Sequence, residues 1–369
     1  MGPPRRRCFG FTLIELMVSL GIFSLVLAMA YSSYLTISRI VTRISDTNAV
    51  SDRAQRLLTV IEDDLRGAGH LVSPDSSIPY CSDPTDIPAR SKAISHSRGN
   101  PSDTLSFISA IPVILDDSAI SCIDRQKDCP PSGDPASDTG SPRQDYYLTT
   151  RCDSGTGTSR TNSIAVDAIH DCYDSLLLAA TGSSNSKSLV TFQAASGDTS
   201  GDGSYYQITG ISNGTLSLTP DLKQVIPDNS TVFTLRQYRY DVVASPPAEA
   251  RTFRRSGRKS DCSMDALALN EPSTDGGGVD GLKFEFSSYN PLSGSMEMTS
   301  TLPDALKNLR CITVWLLLRA ERKTAGYINS NRYVLGNSAD KTTIGPFNDS
   351  FIRAMAYRTV EVRNFAFGS

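Results

Sequence analysis

Histidine is scarce in this chain, and the chemistry that depends on it has little to work with. Only three histidines occur in 369 residues, His70, His96 and His170, and no two lie three to five positions apart. That spacing excludes an H-E-x-x-H zinc site. No C-x-x-C links any two of the eight cysteines, so zinc-ribbon and thioredoxin-type motifs lack their basic unit. A P-loop signature is missing as well. A net charge of −3 makes no general case for nucleic acid as a partner. Between Gly21 and Gly67 there is neither proline nor glycine, so the usual helix breakers are absent from a long stretch. No internal repeat is evident.

What is present suffices for a folded core. Hydrophobic residues make up 39% and charged residues 20%, ordinary for a globular chain of one large or two modest domains. The cysteines (Cys8, Cys81, Cys122, Cys129, Cys152, Cys172, Cys262 and Cys311) are scattered. With so few histidines, that fits disulfides in an oxidising compartment better than metal binding. If Cys8 leaves with a leader, seven remain and at least one is unpaired or bonded between chains.

The N-terminus reads RRRCFGFTLIELMVSL from Arg5, and the run from Phe11 to Ala30 carries one charge, Glu15. Twenty helical residues span about 30 Å, the thickness of a bilayer's hydrocarbon core. Arg5, Arg6 and Arg7 keep the N-terminus cytoplasmic and place the rest outside, where disulfides form. A secretory signal would use Ala28-Met29-Ala30 as its cleavage site, and Arg6-Arg7 imitates a twin-arginine signal. Neither accounts for a carboxylate in an apolar run, which costs roughly 2.5–3.5 kcal/mol near mid-bilayer.

The stretch RCFGFTLIELMVSLGIF resembles the class III leader of type IV prepilins and type II secretion pseudopilins. The resemblance implies cleavage by prepilin peptidase between Gly10 and Phe11, N-methylation of Phe11, and an assembly role for Glu15. The new ammonium group on a neighbouring subunit would then compensate the Glu15 carboxylate and fix register between helices. A plainer alternative is that Glu15 snorkels to the cytoplasmic interface. Gly21 reads as a close-packing point in the helix. Major pilins often carry a proline where Ser32 and Ser33 stand here.

The helix is expected to continue past the membrane. Val50, Ala54, Leu57 or Leu58, Ile61 and Leu65 recur at steps of three and four, and Gly67, Gly69 and Pro74 end the pattern. The expected organisation is a cleaved leader over 1–10, a membrane and assembly helix over 11–35, its amphipathic half over 36–69, and a β-rich periplasmic domain over 70–369. Strands are predicted over Asn100–Leu115, Gln144–Thr150, Asn162–Ala168, Ser188–Ala194, Tyr205–Leu218, Thr231–Val243, Gly281–Tyr289, Arg310–Ala320 and Arg353–Phe365. Asn213-Gly214 supplies a hairpin turn, and loops are predicted over Ser73–Asn100, Asp116–Arg143 and Ser245–Gly281. The fold class is α+β: a long N-terminal helix on an antiparallel β-sheet domain with large insertions, as in type IV pilins.

LRCITVWLLLRA, GYINSNRYVLG and PFNDSFIRAMAYRTVEVRNF, with IEDDLRGAGH at the helix end, are similar to PilW-type minor pilins. The J-type pseudopilin of type II secretion is the alternative. Either resemblance implies a single-pass bacterial inner-membrane protein that primes or caps a filament. Its partners would be other minor and major pilins or pseudopilins, prepilin peptidase and the inner-membrane assembly platform. No enzyme activity, cofactor or metal is expected. Asp198–Gly203 imitates part of a calcium loop, but Thr209 stands where the bidentate glutamate is needed. The G-x-G-x-x-G over Gly276–Gly281 follows a polar loop and reads as a flexible loop. Arg251, Arg254, Arg255, Arg258 and Lys259 form a basic cluster, read as a loop that would serve a tip adhesin or DNA-uptake module. The pairs Asp63-Asp64 and Asp116-Asp117 read as helix-end and turn residues.

Overall fold

The structure is a computed structural model and describes residues 12–72, 93–112, 163–165, 189–193, 206–212, 215–219, 226, 230–245, 250–258, 264–270, 277–337 and 340–362. Its first element is a single helix, α1 (Leu13–Arg66), of 54 residues, about 81 Å long at 1.5 Å per residue. Nothing in its sequence interrupts it, and it passes through Ser32 and Ser33 unbroken. Hydroxyl groups along it turn back on carbonyls of the preceding turn: Ser24 Oγ donates to Leu20 O at 2.7 Å and Thr36 Oγ1 to Ser32 O at 3.0 Å. A polar side chain satisfied this way is tolerated where water is absent. Gly21 has open space around it, so no close packing occurs there within one chain.

The helix ends where it meets the sheet. Gly67 caps it, and a Cβ there would sit 3.0 Å from Ser109 Oγ, which itself donates to Gly67 O at 2.7 Å. Gly69, at φ 73°, turns the chain in the left-handed region and its N–H donates to Ile108 O at 2.9 Å.

Two main sheets follow, with antiparallel pairing between neighbouring strands. The first contains β1 (Ile94–Ser97), β2 (Thr104–Pro112), β3 (Ser163–Ala165), β4 (Leu189–Gln193), β5 (Tyr206–Ser212), β6 (Thr215–Thr219), β7 (Thr231–Ser245), β8 (Ala250–Arg258) and β9 (Met264–Asn270). Its order is β1-β2-β7-β4-β5-β6-β3, with β8 also on β7 and β9 on β8. The 15-residue β7 makes this possible, pairing with β4 through Thr231–Thr234, with β2 through Phe233–Tyr240 and with β8 through Gln237–Ser245. The second sheet contains β10 (Val279–Asn290), β11 (Ser295–Thr299), β12 (Leu309–Lys323) and β15 (Phe351–Glu361) in the order β11-β10-β12-β15. A small hairpin, β13 (Tyr333–Leu335) with β14 (Thr342–Ile344), covers part of its outer face.

The helix lies on β12 and β15. Ile312, Val314, Leu316 and Leu318 alternate along β12 and share one apolar core with Val50, Leu58, Ile61 and Leu65 of the helix. Each such side chain contributes about 1.5–3 kcal/mol on burial. Trp315 and Leu317 point the other way and pack under the β13–β14 hairpin with Leu335.

The structure departs from the sequence-based expectations in one large respect. Part of Ser245–Gly281, expected as loop, forms β8 and β9 on the edge of the first sheet. Arginines hide β8: between Arg251 and Gly257 the buried positions are Thr252, Phe253 and Ser256, and charges between them mask any apolar alternation. Strands β1, β11, β13 and β14 are short and were likewise not anticipated. The expected strand Gln144–Thr150, the calcium-like loop Asp198–Gly203, the turn Asn213-Gly214, Pro74 and Asp116-Asp117 lie outside the described residues.

A buried polar knot ties β10 to the segment before β2. Asp103 Oδ1 accepts from Lys283 Nζ at 2.7 Å and from Gly99 N at 2.9 Å, while Oδ2 accepts from Phe284 N at 3.3 Å. His96 Nε2 lies 3.2 Å from Oδ2 in poor alignment for a hydrogen bond, with its ring edge-on to Phe286. Burial pushes the Asp103 carboxyl up, but the contacts from His96, Lys283 and Gly99 outweigh it and hold the carboxyl below its ordinary 3.8. A carboxyl lowered on folding contributes stability that is complete above its unfolded value and lost as pH falls through the folded one. The melting temperature is therefore expected to drop as pH is lowered below about 3.8. Asp103→Asn should cost about 1.5–3 kcal/mol at neutral pH by removing the charge partner of Lys283, which keeps the Gly99 carbonyl at 2.6 Å, and should flatten that acid limb. Thermal melts followed by circular dichroism across pH check both.

Candidate functional site

The first half of the helix is built for an environment other than its own domain. Every side chain from Thr12 to Ser45 is exposed, including Leu13, Phe23 and Tyr34. By length and composition this helix can cross a membrane. Thr12 caps it in the extended conformation, at ψ 148°. Thr12 Oγ1 accepts from Glu15 N at 3.3 Å, and the Glu15 carboxylate accepts from Thr12 N at 3.2 Å and from Thr12 Oγ1 at 3.1 Å. This reciprocal capping box satisfies two donors at the helix start and sets a negative charge at the positive end of the helix dipole. Thr-x-x-Glu is itself a sequence signature of such a box. The signature stands in Thr12–Glu15, masked by the cost of a carboxylate in an apolar run. Gly10 and Phe11 lie outside the described residues.

The second half is gripped by the domain through acid–arginine pairs, three with the acid on the helix and one with the arginine there. Asp46 accepts from Arg322 Nη2 at 2.7 Å and from Thr324 Oγ1 at 3.4 Å. Arg53 pairs with Glu321, and Glu62 accepts from Arg358 Nη1 at 2.5 Å. Asp64 receives both Arg255 Nε, at 2.6 Å, and Arg255 Nη2, at 2.7 Å, and also the Tyr240 hydroxyl. The bidentate geometry is the strong form of such a pair. Burial and the neighbouring Asp64 charge push the Tyr240 phenol well above its usual range. The Asp64 hydrogen bonds outweigh burial and hold the Arg255 guanidinium above its usual range as well. Asp64, expected only to terminate the helix, is thus its last fastening.

The basic cluster turns out to be largely committed. Arg255 binds Asp64 and lies over the Tyr238 ring at 4.7 Å. Arg254 holds Asp241 with two bonds, at 3.1 and 2.9 Å, and Arg251 Nη1 donates to Asp280 O at 3.4 Å. These residues stand on a strand that helps dock the helix, in place of the expected ligand loop. Arg258 closes that strand, and Lys259 lies outside the described residues.

The glycine run is likewise packed where a flexible loop was expected. Gly277 O accepts from Arg319 Nε at 3.1 Å, and a Cβ on Gly278, at φ 106°, would meet Arg251 O at 2.7 Å. Among the described residues no group of three or more His, Cys, Asp or Glu side chains could hold a metal ion. Cys311 is the one cysteine among them and carries no disulfide, while burial raises its thiol. The seven other cysteines, and with them the expected disulfides, lie outside the described residues.

Comparison with known proteins bears on the N-terminus first. Residues 5–31 match the family model described as the prokaryotic N-terminal methylation motif. The chain carries a prepilin-type leader. The match covers Gly10, Phe11 and Glu15 and the apolar start of α1, and does not extend into the β-rich part. Among solved structures, a type IV-like pilin from Thermus thermophilus is similar over 49% of this chain and 86% of its own. Identity is 13% and the TM-score 0.25. No curated protein matches the chain.

The docking network is testable directly. Arg255→Ala leaves Asp64 with the Tyr240 hydroxyl but without its bidentate cation, and is expected to lower the stability of the domain by about 1.5–3 kcal/mol, the worth of charge-assisted bonds lost at a partly buried site. Urea unfolding of the variant against the parent measures it. Arg254→Ala, whose partner Asp241 keeps Arg239 at 3.4 Å, should cost less.

Proposed function

We propose that the protein is a minor, low-copy pilin that helps initiate assembly of a type IV pilus, near or at its tip. The observation that carries this reading is the methylation motif over residues 5–31 at the foot of a 54-residue helix whose apolar half is exposed and whose other half is bound to a β-rich domain. A helix so divided is stable only when something apolar surrounds its first half, first the bilayer and then other subunits' helices. In this reading prepilin peptidase cuts between Gly10 and Phe11 and methylates Phe11. The positive leader Arg5–Arg7 keeps that bond on the cytoplasmic side, and the β-rich domain lies in the periplasm. Glu15 then pairs with the amine created at Phe11 of a neighbouring subunit, and the partners are other pilins and the inner-membrane platform. The role is structural, with no catalytic step. PilW-like features of the last third favour a pilus over a secretion pseudopilus.

The test begins with the mature protein. Intact mass and N-terminal sequencing of membrane-extracted material are expected to give N-methylphenylalanine at Phe11. A mature chain beginning at Tyr31 would instead mean ordinary secretory cleavage and overturn the reading. Glu15→Leu is expected to be cut and methylated normally yet be lost from sheared filaments, with far fewer pili per cell. Unchanged piliation together with failed protein export in a deletion strain would move the protein to the secretion machinery.

A further inference from the structure

The end of the domain that faces the apolar half of the helix has a composition of its own. Tyr31 and Tyr34, both exposed, stand about one hydrocarbon thickness along the helix from Leu13, where aromatic belts occur. Arg39 and Arg43 follow within about 8 and 14 Å of Tyr34. The first contact of helix with domain comes just beyond, where Arg322 and Thr324 reach Asp46. From Thr324 the chain turns back toward the membrane side, because Tyr327 meets Arg43, whose guanidinium lies 4.6 Å from the ring centre.

That turn is rigidly held and yet presents an isoleucine to solvent. Tyr327 N donates to Thr324 O at 3.2 Å and Thr324 N to Ser350 O at 2.8 Å. Asn329 is fully buried, donating through N to Asp349 O at 2.6 Å and through Nδ2 to Phe351 O at 3.0 Å. Ile328, between the two anchors, is 70% exposed. Around it the acids are consumed within the domain: Asp46 by Arg322, Glu321 by Arg53 and Asp349 by Arg353. The cations Arg39, Arg43, Lys323 and Arg332 remain exposed.

We infer that the Thr324–Ile328 turn, with Arg39 and Arg43, is a foot that rests on the outer surface of the membrane the helix crosses. The partner is an anionic lipid headgroup layer. Arg39 and Arg43 bind phosphates, and Ile328 sits among headgroups, brought down by the ordinary tilt of a membrane helix, about 20°. Charge complementarity and the position of the turn along the helix select lipid over another protein. The foot would fix the domain's orientation before assembly. It rests on the proposed membrane anchoring.

The experiment uses the full chain in nanodiscs of phosphatidylcholine alone or doped with phosphatidylglycerol, with hydrogen exchange read over residues 324–332. Exchange is expected to be about fivefold slower in the anionic discs than in neutral discs or detergent, as lipid attraction of a basic residue implies. Ile328→Asp with Arg39→Glu should abolish that difference while β12 exchange stays at the parent value, which reports an intact domain. Equal exchange in all three media overturns the foot, as does protection that appears only with two or more copies per disc, which would mean a neighbouring chain. If the chain fails to enter discs at all, the membrane reading falls with it, whereas insertion without protection of the turn removes the foot alone.

Discussion

The fastening of Val50–Leu65 to β12 and β15 is the constraint on which the other features depend. A 54-residue helix with its first half bare of tertiary contacts cannot be held in register by that half. All positional information comes from the buried stripe of Val50, Ala54, Leu58, Ile61 and Leu65 and from four acid–arginine contacts spread between Asp46 and Asp64. The apolar stripe supplies most of the free energy, since burial of each large side chain is worth about 1.5–3 kcal/mol. The ion pairs, several of them partly exposed, add less apiece but fix rotation and axial position. A helix clamped over its last five turns points its other end in a defined direction, and Glu15 inherits that direction.

The division of labour also explains where arginine is spent. Arg255, Arg322 and Arg358 come from three different strands and each reaches an acid on the helix. Guanidinium suits this use because its planar fork binds a carboxylate with two bonds and stays charged when partly desolvated. A cluster of arginines is therefore weak evidence for an external anion until their internal partners are known.

Much of this was legible in the residues. The leader, the apolar run and the i, i+3, i+4 stripe of the docked half follow from short-range pattern and fixed helix geometry, so their reading survives without tertiary information. Strand β12 was legible because LRCITVWLLLRA is apolar on both faces, one under the helix and one under a hairpin. Strand β8 was not, because its alternation is one of paired charge and small buried residues, and a pairing between Arg255 and Asp64 across 191 positions leaves no local trace. The same holds for Asp46, whose burial depends on Arg322 and Thr324 far along the chain.

The capping box alters the energetics of Glu15. A carboxylate with no local partner would make its pairing with a neighbour's ammonium a large net gain, and assembly would amount to relief of an isolated charge. In this subunit the carboxylate already holds Thr12 N and Oγ1. Pairing with a neighbour is then an exchange or an addition within a satisfied group, worth the difference between two polar arrangements. A term of that size is poorly suited to driving filament growth, which apolar helix packing can supply, and well suited to selecting one axial offset among several. In the proposed assembly the glutamate would act on where the helices stop sliding more than on whether they associate.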